Sequence, residues 1–440
     1  MPRDYGCQNR DDRQTGHLSN QNGIALVTGL VLMLILTLLS YTAIKWAASD
    51  IARSANYAET IQATYIAEAG IHKAIDYLNY DASGDSPGEV SNGFDDELDG
   101  TNWPAGTFTS IGIGSDGGTY SIVIEDNTDG DGSTVLDVDN SVVLKSTGTI
   151  AGLSVIIETV IYRPLFKSEY AILSEGDVGV NGNSTSITGT NGAVHTNSDF
   201  TQAGTPTING GANASGTCTG AECNSAGGVS EEFVPVLEPS DYEQNADYIF
   251  NDDGTIDQKN ADGTTTTGVE GNALFSGFSH NNQGWRVSNS AVAGTDIPNQ
   301  AFLYFKDNLT ATSVGSAGTP WEITLIVEKT ISFGNADVIN WKDPDISPDL
   351  QNLFLVAEND IKITGMNQNT QGLIAAKDQI SLSGGASIEG YLISNNLTTS
   401  DNTVNGTDTI VGGGITLTYN GDLVAPVLSD KVSILTWQKT

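Results

Sequence analysis

The chain has 440 residues, 54 of them acidic and 18 basic, giving a formal charge of −36. Such a surplus of carboxylates excludes nucleic acid as a natural partner, because a phosphate backbone is held by the Lys and Arg that release its counterions; it suits a soluble outer surface, bound cations or basic partners. The length allows two or three domains with cores of their own, and 50 Gly against 12 Pro, with abundant Thr, Asn and Asp, fits short strands joined by tight turns.

Residues 1–23 are polar, with Arg3, Arg10 and Arg13 offset by Asp4, Asp11 and Asp12, so charge gives no membrane orientation. The following run, IALVTGLVLMLILTLLSYTAI from Ile24 to Ile44, carries no charge, and about 20 such residues in a helix cross a hydrocarbon layer of ~30 Å. A cleaved secretory signal is the competing reading. Its apolar region is shorter, follows a basic start and ends at a small-residue site, whereas Lys45-Trp46-Ala47-Ala48-Ser49-Asp50 is a weak site of that kind. The run is therefore read as retained. Residues 45–79 contain no proline and one glycine, Gly70, and Ile44, Ile51, Ala58 and Tyr65 recur every seven residues, with Ala47, Ile61 and Ile75 near the same stripe. That period predicts one helix over 24–79, with 24–44 in the membrane. Its length is roughly 84 Å, and its second half offers a narrow seam to partners.

The polar leader ending at Gly23, the apolar run after it, and Ala67-Glu68-Ala69-Gly70 together resemble the N-terminal region of PilX-type minor pilins of type IV pili. They are similar also to tip subunits of type II secretion pseudopili. The resemblance covers 24–79 and extends loosely to 118–164. It implies cleavage by prepilin peptidase after Gly23 and methylation at Ile24. It further implies a single-pass stage in the inner membrane, contact with pilus assembly machinery, and extraction into a filament beside other pilins. The C-terminal domain would then lie outside, on the pilus or cell surface. Most pilins have a glutamate at the fifth mature position, where its carboxylate neutralises a neighbour's N-terminus; here that position is Thr28, which implies a tip or initiating subunit rather than a shaft subunit.

Residues 80–106 are acidic and turn-rich and are expected to be a linker. Strands are predicted at 107–113, 118–126, 133–147 and 153–163, forming an antiparallel sheet over 107–165. The expected fold is α+β. Gly112, Gly114 and Gly117 spell GxGxxG, but no helix follows, so a hairpin turn is expected and a nucleotide site is not. Beyond Arg163-Pro164 the sequence repeats itself: AILSEGDVGVNG (171–182) matches AVHTNSDFTQAG (193–204), and LVAENDIKITG (355–365) matches IAAKDQISLSG (374–384), with a looser copy from Tyr391. A β-solenoid over 166–440, with an insertion at 205–354, accounts for these copies; a β-sandwich of similar hairpins is the alternative.

Three cysteines occur. Cys7 lies in the leader, and Cys218 and Cys223 are expected to close a small disulfide loop, since zinc would need further ligands. Two acidic clusters are candidates for calcium: NGFDDELDG, with Asp95, Asp96 and Asp99, and DNTDGDGSTVLDVD, with Asp126, Asp129 and Asp131. The competing reading is a solvated acidic turn. FNDDGTID (250–257) is a weaker case. No hydrolase motif is present, and His195 is expected in a solvent-facing turn. The predicted role is structural, without catalysis: a filament subunit displaying a β-rich domain to an unknown extracellular ligand. A non-polymerising membrane adhesin and a polysaccharide-active solenoid enzyme are the alternatives.

Overall fold

A computed structural model describes residues 21–79, 93–100, 103, 108–113, 117–127, 133–137, 139–260, 264–316, 318–344, 346–347, 350–366, 369–396 and 409–439. Residues 1–20 of the expected leader 1–23, most of 80–106, and Asp129 and Asp131 lie outside the described residues.

Helix α1 (Gln21–Leu78) runs unbroken through the apolar stretch and the amphipathic stretch after it, a length of about 87 Å. Its apolar part reaches a mean hydropathy of 2.4 with nothing buried, and is long enough to cross a membrane. The hydroxyls of Thr28, Thr37 and Thr42 donate to carbonyls one turn earlier, so they leave no unpaired donor on that surface.

Towards its C-terminal end α1 turns one side onto a sheet. Ala63, Ile66, Ala67, Gly70, Ile71, Ala74 and Leu78 are buried, the i, i+3, i+4, i+7 spacing of a helix face. They cover an antiparallel sheet of β1 (Ile111–Ile113), β2 (Gly118–Asp126), β3 (Ser141–Ile150) and β4 (Leu153–Tyr162), completed beside β4 by the C-terminal strand Ser433–Lys439. Alternate residues of these strands, among them Tyr120, Ile122, Val142, Leu144, Val155, Ile157 and Ile161, share one core with the helix. Gly148 of β3 lies directly under the backbone of Ala63 and Ala67, where any Cβ would overlap it. Gly70 in turn leaves room for the side chains of Ser146 and Tyr120, so only at Gly148 does backbone meet backbone. Helix and strand therefore touch at backbone distance. The sequence-predicted seam lies elsewhere: Ile44, Ile51 and Tyr65 are 64–70% exposed. The predicted strand at 133–147 begins only at Ser141, because 133–137 is loop, and the fifth strand comes from a segment assigned to the β-rich domain.

The β-rich domain leaves and re-enters the small sheet at one place. Phe166 N–H donates to Val427 O (2.7 Å) and Ser429 N–H to Pro164 O (2.8 Å), so the outgoing and returning segments are bonded to each other. From there the chain alternates between two long sheets whose strands stack largely in parallel. The first block comprises β5 (Ile172–Ser174), β6 (Val178–Asn181), β7 (Ser186–Thr188), β8 (Val194–Thr196), β9 (Phe200–Ala203), β10 (Thr207–Ile208), β11 (Ala212–Ala214) and β12 (Cys218–Thr219). Ile172 pairs with Val194 and Val194 with Ala212, while Val178 pairs with Phe200 and Phe200 with Cys218.

A second block reaches the first from the opposite side. One sheet stacks Ala301–Phe305, Trp321–Val327, Leu353–Ala357, Asn369–Ala376 and Ser387–Ser394 in turn; the last strand pairs with β5, Leu392 opposite Ile172. The other sheet runs from Gly284–Val287 through Leu309–Thr312, Ile331–Ala336, Ile361–Met366 and Ile380–Ser383 to Thr409–Val411, which pairs with β6. Both predicted repeat registers are present, Ile172 opposite Val194 and Leu355 opposite Ile374. The expected insertion at 205–354 is corrected. Residues 207–219 and 301–336 are further stacked strands, and from the intervening part Tyr248–Phe250 and Gly284–Val287 join the same two sheets in parallel. Within it, Val234, Leu237, Tyr242 and Ala246 pack across the outer face of the larger sheet against Leu173, Tyr304, Val356 and Tyr391.

Replacing Gly148 with Val forces a Cβ into the α1 backbone. The expected cost is about 1–3 kcal/mol or more, read as a lower thermal midpoint. Gly152→Val, where an added Cβ would find nothing within 4 Å but φ is +85°, tests backbone strain alone and is expected to cost less.

Candidate functional site

Two features of the structure are candidates for function: the uncovered length of α1, and the acidic corner where α1 ends. On α1, Ile24 begins the exposed apolar surface, and Thr28 Oγ donates to Ile24 O at 2.6 Å. Position 28 thus offers a hydroxyl already satisfied within its own helix and no carboxylate. Glu68 and Ala69 are half-buried beside buried Gly70. The Ala67–Gly70 motif therefore marks where the helix meets its sheet.

At the end of α1 stands Arg163, fully enclosed. Its Nε donates to Gly93 O (3.2 Å), Nη1 to Asp430 O (3.3 Å) and Nη2 to Leu78 O (3.1 Å). The guanidinium lies 4.8 Å from the Phe94 ring centroid, and Glu97 Oε1 is 3.8 Å from Nη2. One side chain thus binds the last turn of α1, the acidic loop, strand β4 and the returning C-terminal segment. Leu78 O is among the carbonyls that a helix end leaves unpaired, and a cation suits that end of the helix dipole. Glu97 belongs to a single helical turn, α2 (Asp95–Leu98). Burial raises its carboxyl to about 7, with Arg163 opposing the shift.

The two acidic clusters meet here through backbone amides. Asp95 Oδ1 accepts from Asp137 N–H at 2.6 Å, and Asp137 accepts from Phe94 N–H and Ser141 N–H at 3.1 Å each. Burial lifts Asp137 to about 6 despite those bonds. Asp96 and Asp99 flank this corner, and Asp126 lies at the end of β2. No group of three or more His, Cys, Asp or Glu suited to a metal ion occurs among the described residues. In the FNDDGTID segment, Asp253 Oδ1 accepts from Thr255 N–H and Oγ–H within a hairpin. Sequence reasoning missed Arg163 altogether; its only local signal is the proline that follows it.

The predicted cysteine pair is present: Cys218 and Cys223 are disulfide-bonded. His195 is corrected. It is buried in β8, 4.9 Å from the Tyr170 ring, with Nε2 3.0 Å from Asn197 Oδ1, and burial lowers its pKa. It sits in stacked strand, where a turn residue was expected.

The raised carboxyls at the corner make stability depend on pH. Between its unfolded value of 4.5 and its folded value of about 7, Glu97 holds more proton when folded than unfolded, so its contribution is complete below the lower value and fades as pH rises through the upper one. The thermal midpoint of the full chain in detergent is expected to fall from pH 5 to pH 7.5, and Glu97→Gln to flatten that slope. An unchanged slope would refute the assignment.

With this geometry in view, comparison with known proteins is informative at one end of the chain. Residues 22–72 match the family model described as PilX N-terminal. Among solved structures, the competence-associated pilin ComZ from Thermus thermophilus aligns over 87% of this chain and 97% of its own, at 12% identity and a TM-score of 0.29, a level that decides nothing. No curated protein matches. Over residues 22–72 this chain is therefore similar to the PilX N-terminal family.

Proposed function

We propose that the protein is a minor pilin-like subunit that primes a type IV pilus or related filament, or caps its tip, and displays the β-rich domain outside. The observation carrying this reading is the unbroken α1, whose apolar part and seam at Ile44, Ile51 and Tyr65 are left uncovered by the other described residues. Apolar surface of that extent calls for a lipid or protein partner. In this reading prepilin peptidase cleaves after Gly23, Ile24 is methylated, and the inner-membrane assembly machinery moves the helix from lipid into a bundle of other pilins. Thr28 in place of a carboxylate favours the tip over the shaft. The stacked parallel strands are read as a β-solenoid serving recognition of an extracellular ligand, without catalysis.

Processing gives the first test. N-terminal sequencing from envelope fractions is expected to find Ile24 first, and Gly23→Val to leave the chain uncut in cells with active prepilin peptidase. A mature product beginning near residue 48 would remove the filament reading. Ile51→Asp and Tyr65→Asp lie on the exposed seam and touch no core. They are expected to leave folding intact and to reduce recovery in sheared filaments by at least about tenfold, as loss of a buried contact on the order of 1.4 kcal/mol would. Equal recovery favours a membrane adhesin that does not polymerise.

Calcium is carried as a further proposal for the acidic loops, with Asp126, Asp129 and Asp131 as the donors and Asp95, Asp96 and Asp99 as a second set. Their oxygen-rich, glycine-spaced sequence supports it. Chelator titration is expected to lower the thermal midpoint and added calcium to restore it; an unchanged midpoint ends the proposal.

A further inference from the structure

Where the β-rich domain leaves and re-enters the small sheet, three parts of the chain wall a cleft of about 240 Å³. They are the outgoing residues 164–173, the returning residues 429–431, and Glu232 and Phe233 of the crossing segment. The walls are held by bonds made behind them. Glu232 N–H donates to Asn197 Oδ1 (2.8 Å), Asn197 Nδ2 donates back to Glu232 O (2.7 Å), and Ala425 N–H donates to Phe166 O (3.0 Å). A cleft fixed in this way loses little freedom when it is filled. Its volume is below the ~300 Å³ at which sites for larger ligands begin, so it has room for one ring-sized unit.

The chemistry of the cleft is mixed. One side is aromatic, with Phe166, Tyr170 and Phe233, the first and last edge to face at 6.0 Å. Asp430 is only 6% exposed, and its carboxyl accepts a side-chain bond from Ser429 Oγ alone among the described residues (3.2 Å). Burial raises that carboxyl above its ordinary value. So enclosed an acceptor is undersupplied with donors. Glu232 commits Oε1 to the Tyr170 hydroxyl (3.2 Å), and Glu169 stands exposed at the mouth. Lys167 and Lys431, also exposed there, have no salt-bridge partner among the described residues.

That mixture selects against most ligands. A cation meets two ammonium groups, an anion meets three carboxylates, and an apolar molecule leaves buried Asp430 without the donors it lacks. A neutral ring bearing hydroxyls on its edge and C–H groups on one face meets every group: its hydroxyls donate to Asp430 and Glu232, the lysines donate to its oxygens, and the C–H face packs on the aromatic side. We propose that this cleft is a binding site for a single neutral pyranose unit of an extracellular glycan. The inference rests on the recognition role proposed above for the β-rich domain and is independent of whether the chain polymerises.

The test uses the full chain in a detergent without a sugar head group, and saturation-transfer NMR with the methyl pyranosides of glucose, galactose and mannose. Lysine methyl ester and phenylalanine serve as the cationic and zwitterionic competitors. At least one pyranoside is expected to bind saturably, with a dissociation constant on the order of 1 mM. Asp430→Asn and Phe233→Ala are expected to weaken it at least about tenfold, and exposed Lys167→Ala to weaken it less, with thermal midpoints reporting that each variant is folded. Lys167→Ala keeps the test open if the other two do not fold. No saturable pyranoside binding, tighter binding of either competitor, or binding that no folded variant weakens overturns the site. A chain that enters sheared filaments and binds no pyranoside loses this inference alone; one that binds and does not enter filaments loses only the filament reading.

Discussion

A guanidinium enclosed by protein sets the architecture around it. Arg163 has three of its nitrogens on carbonyls from three separate parts of the chain, Leu78, Gly93 and Asp430, and its charge beside Phe94 and Glu97. A buried cation is tolerated only where its donors are met, and taking away its partners leaves an uncompensated charge. The end of α1, the acidic loop, β4 and the returning segment are consequently held to one arrangement. Lys and Arg are few here, and in the β-rich domain Lys377 is used similarly, tying Glu238 of the crossing segment to Glu358 of the sheet at 2.7 Å each, while the more exposed Lys329 reaches Asp307 at 2.8 Å.

Much of α1 was legible in the sequence, because an uncharged run followed by proline-free residues leaves a helix as the only economical conformation. The face that packs on the sheet was not. Its residues are Ala63, Ala67, Gly70 and Ala74 beside a few large ones, so it contributes little to a hydropathy pattern, while the large apolar residues at 44, 51 and 65 dominate the period and face outward. Small residues are required where backbones approach each other, and Gly148 opposite Ala63 and Ala67 shows that the approach governs the choice. A pattern built on size therefore finds the surface meant for others before it finds the surface meant for the chain itself.

In the β-rich domain the copies at offsets of 22 and 19 were recognisable because their turns are short and alike. The strands at 301–327 do not read as repeat copies because Leu325 pairs with Leu355 across a longer connection, which breaks the spacing without breaking the stack. His195 was misplaced for a related reason. Thr196, Asn197 and Ser198 after it have the composition of an open turn, yet Thr196 is buried and Asn197 bonds Glu232 of the crossing segment. At the acidic corner the sequence displays the carboxylates plainly and gives no sign that backbone amides and one distant arginine would occupy several of them.

The bonded pair of segments at Pro164–Phe166 and Val427–Ser429 makes the β-rich domain a lobe hung from a closed neck, because β4 and the C-terminal strand continue side by side beneath it, Ser433 opposite Tyr162. Helix α1 and the five-stranded sheet are thus closed without the lobe, and a different lobe could be spliced onto the same neck without redesigning either.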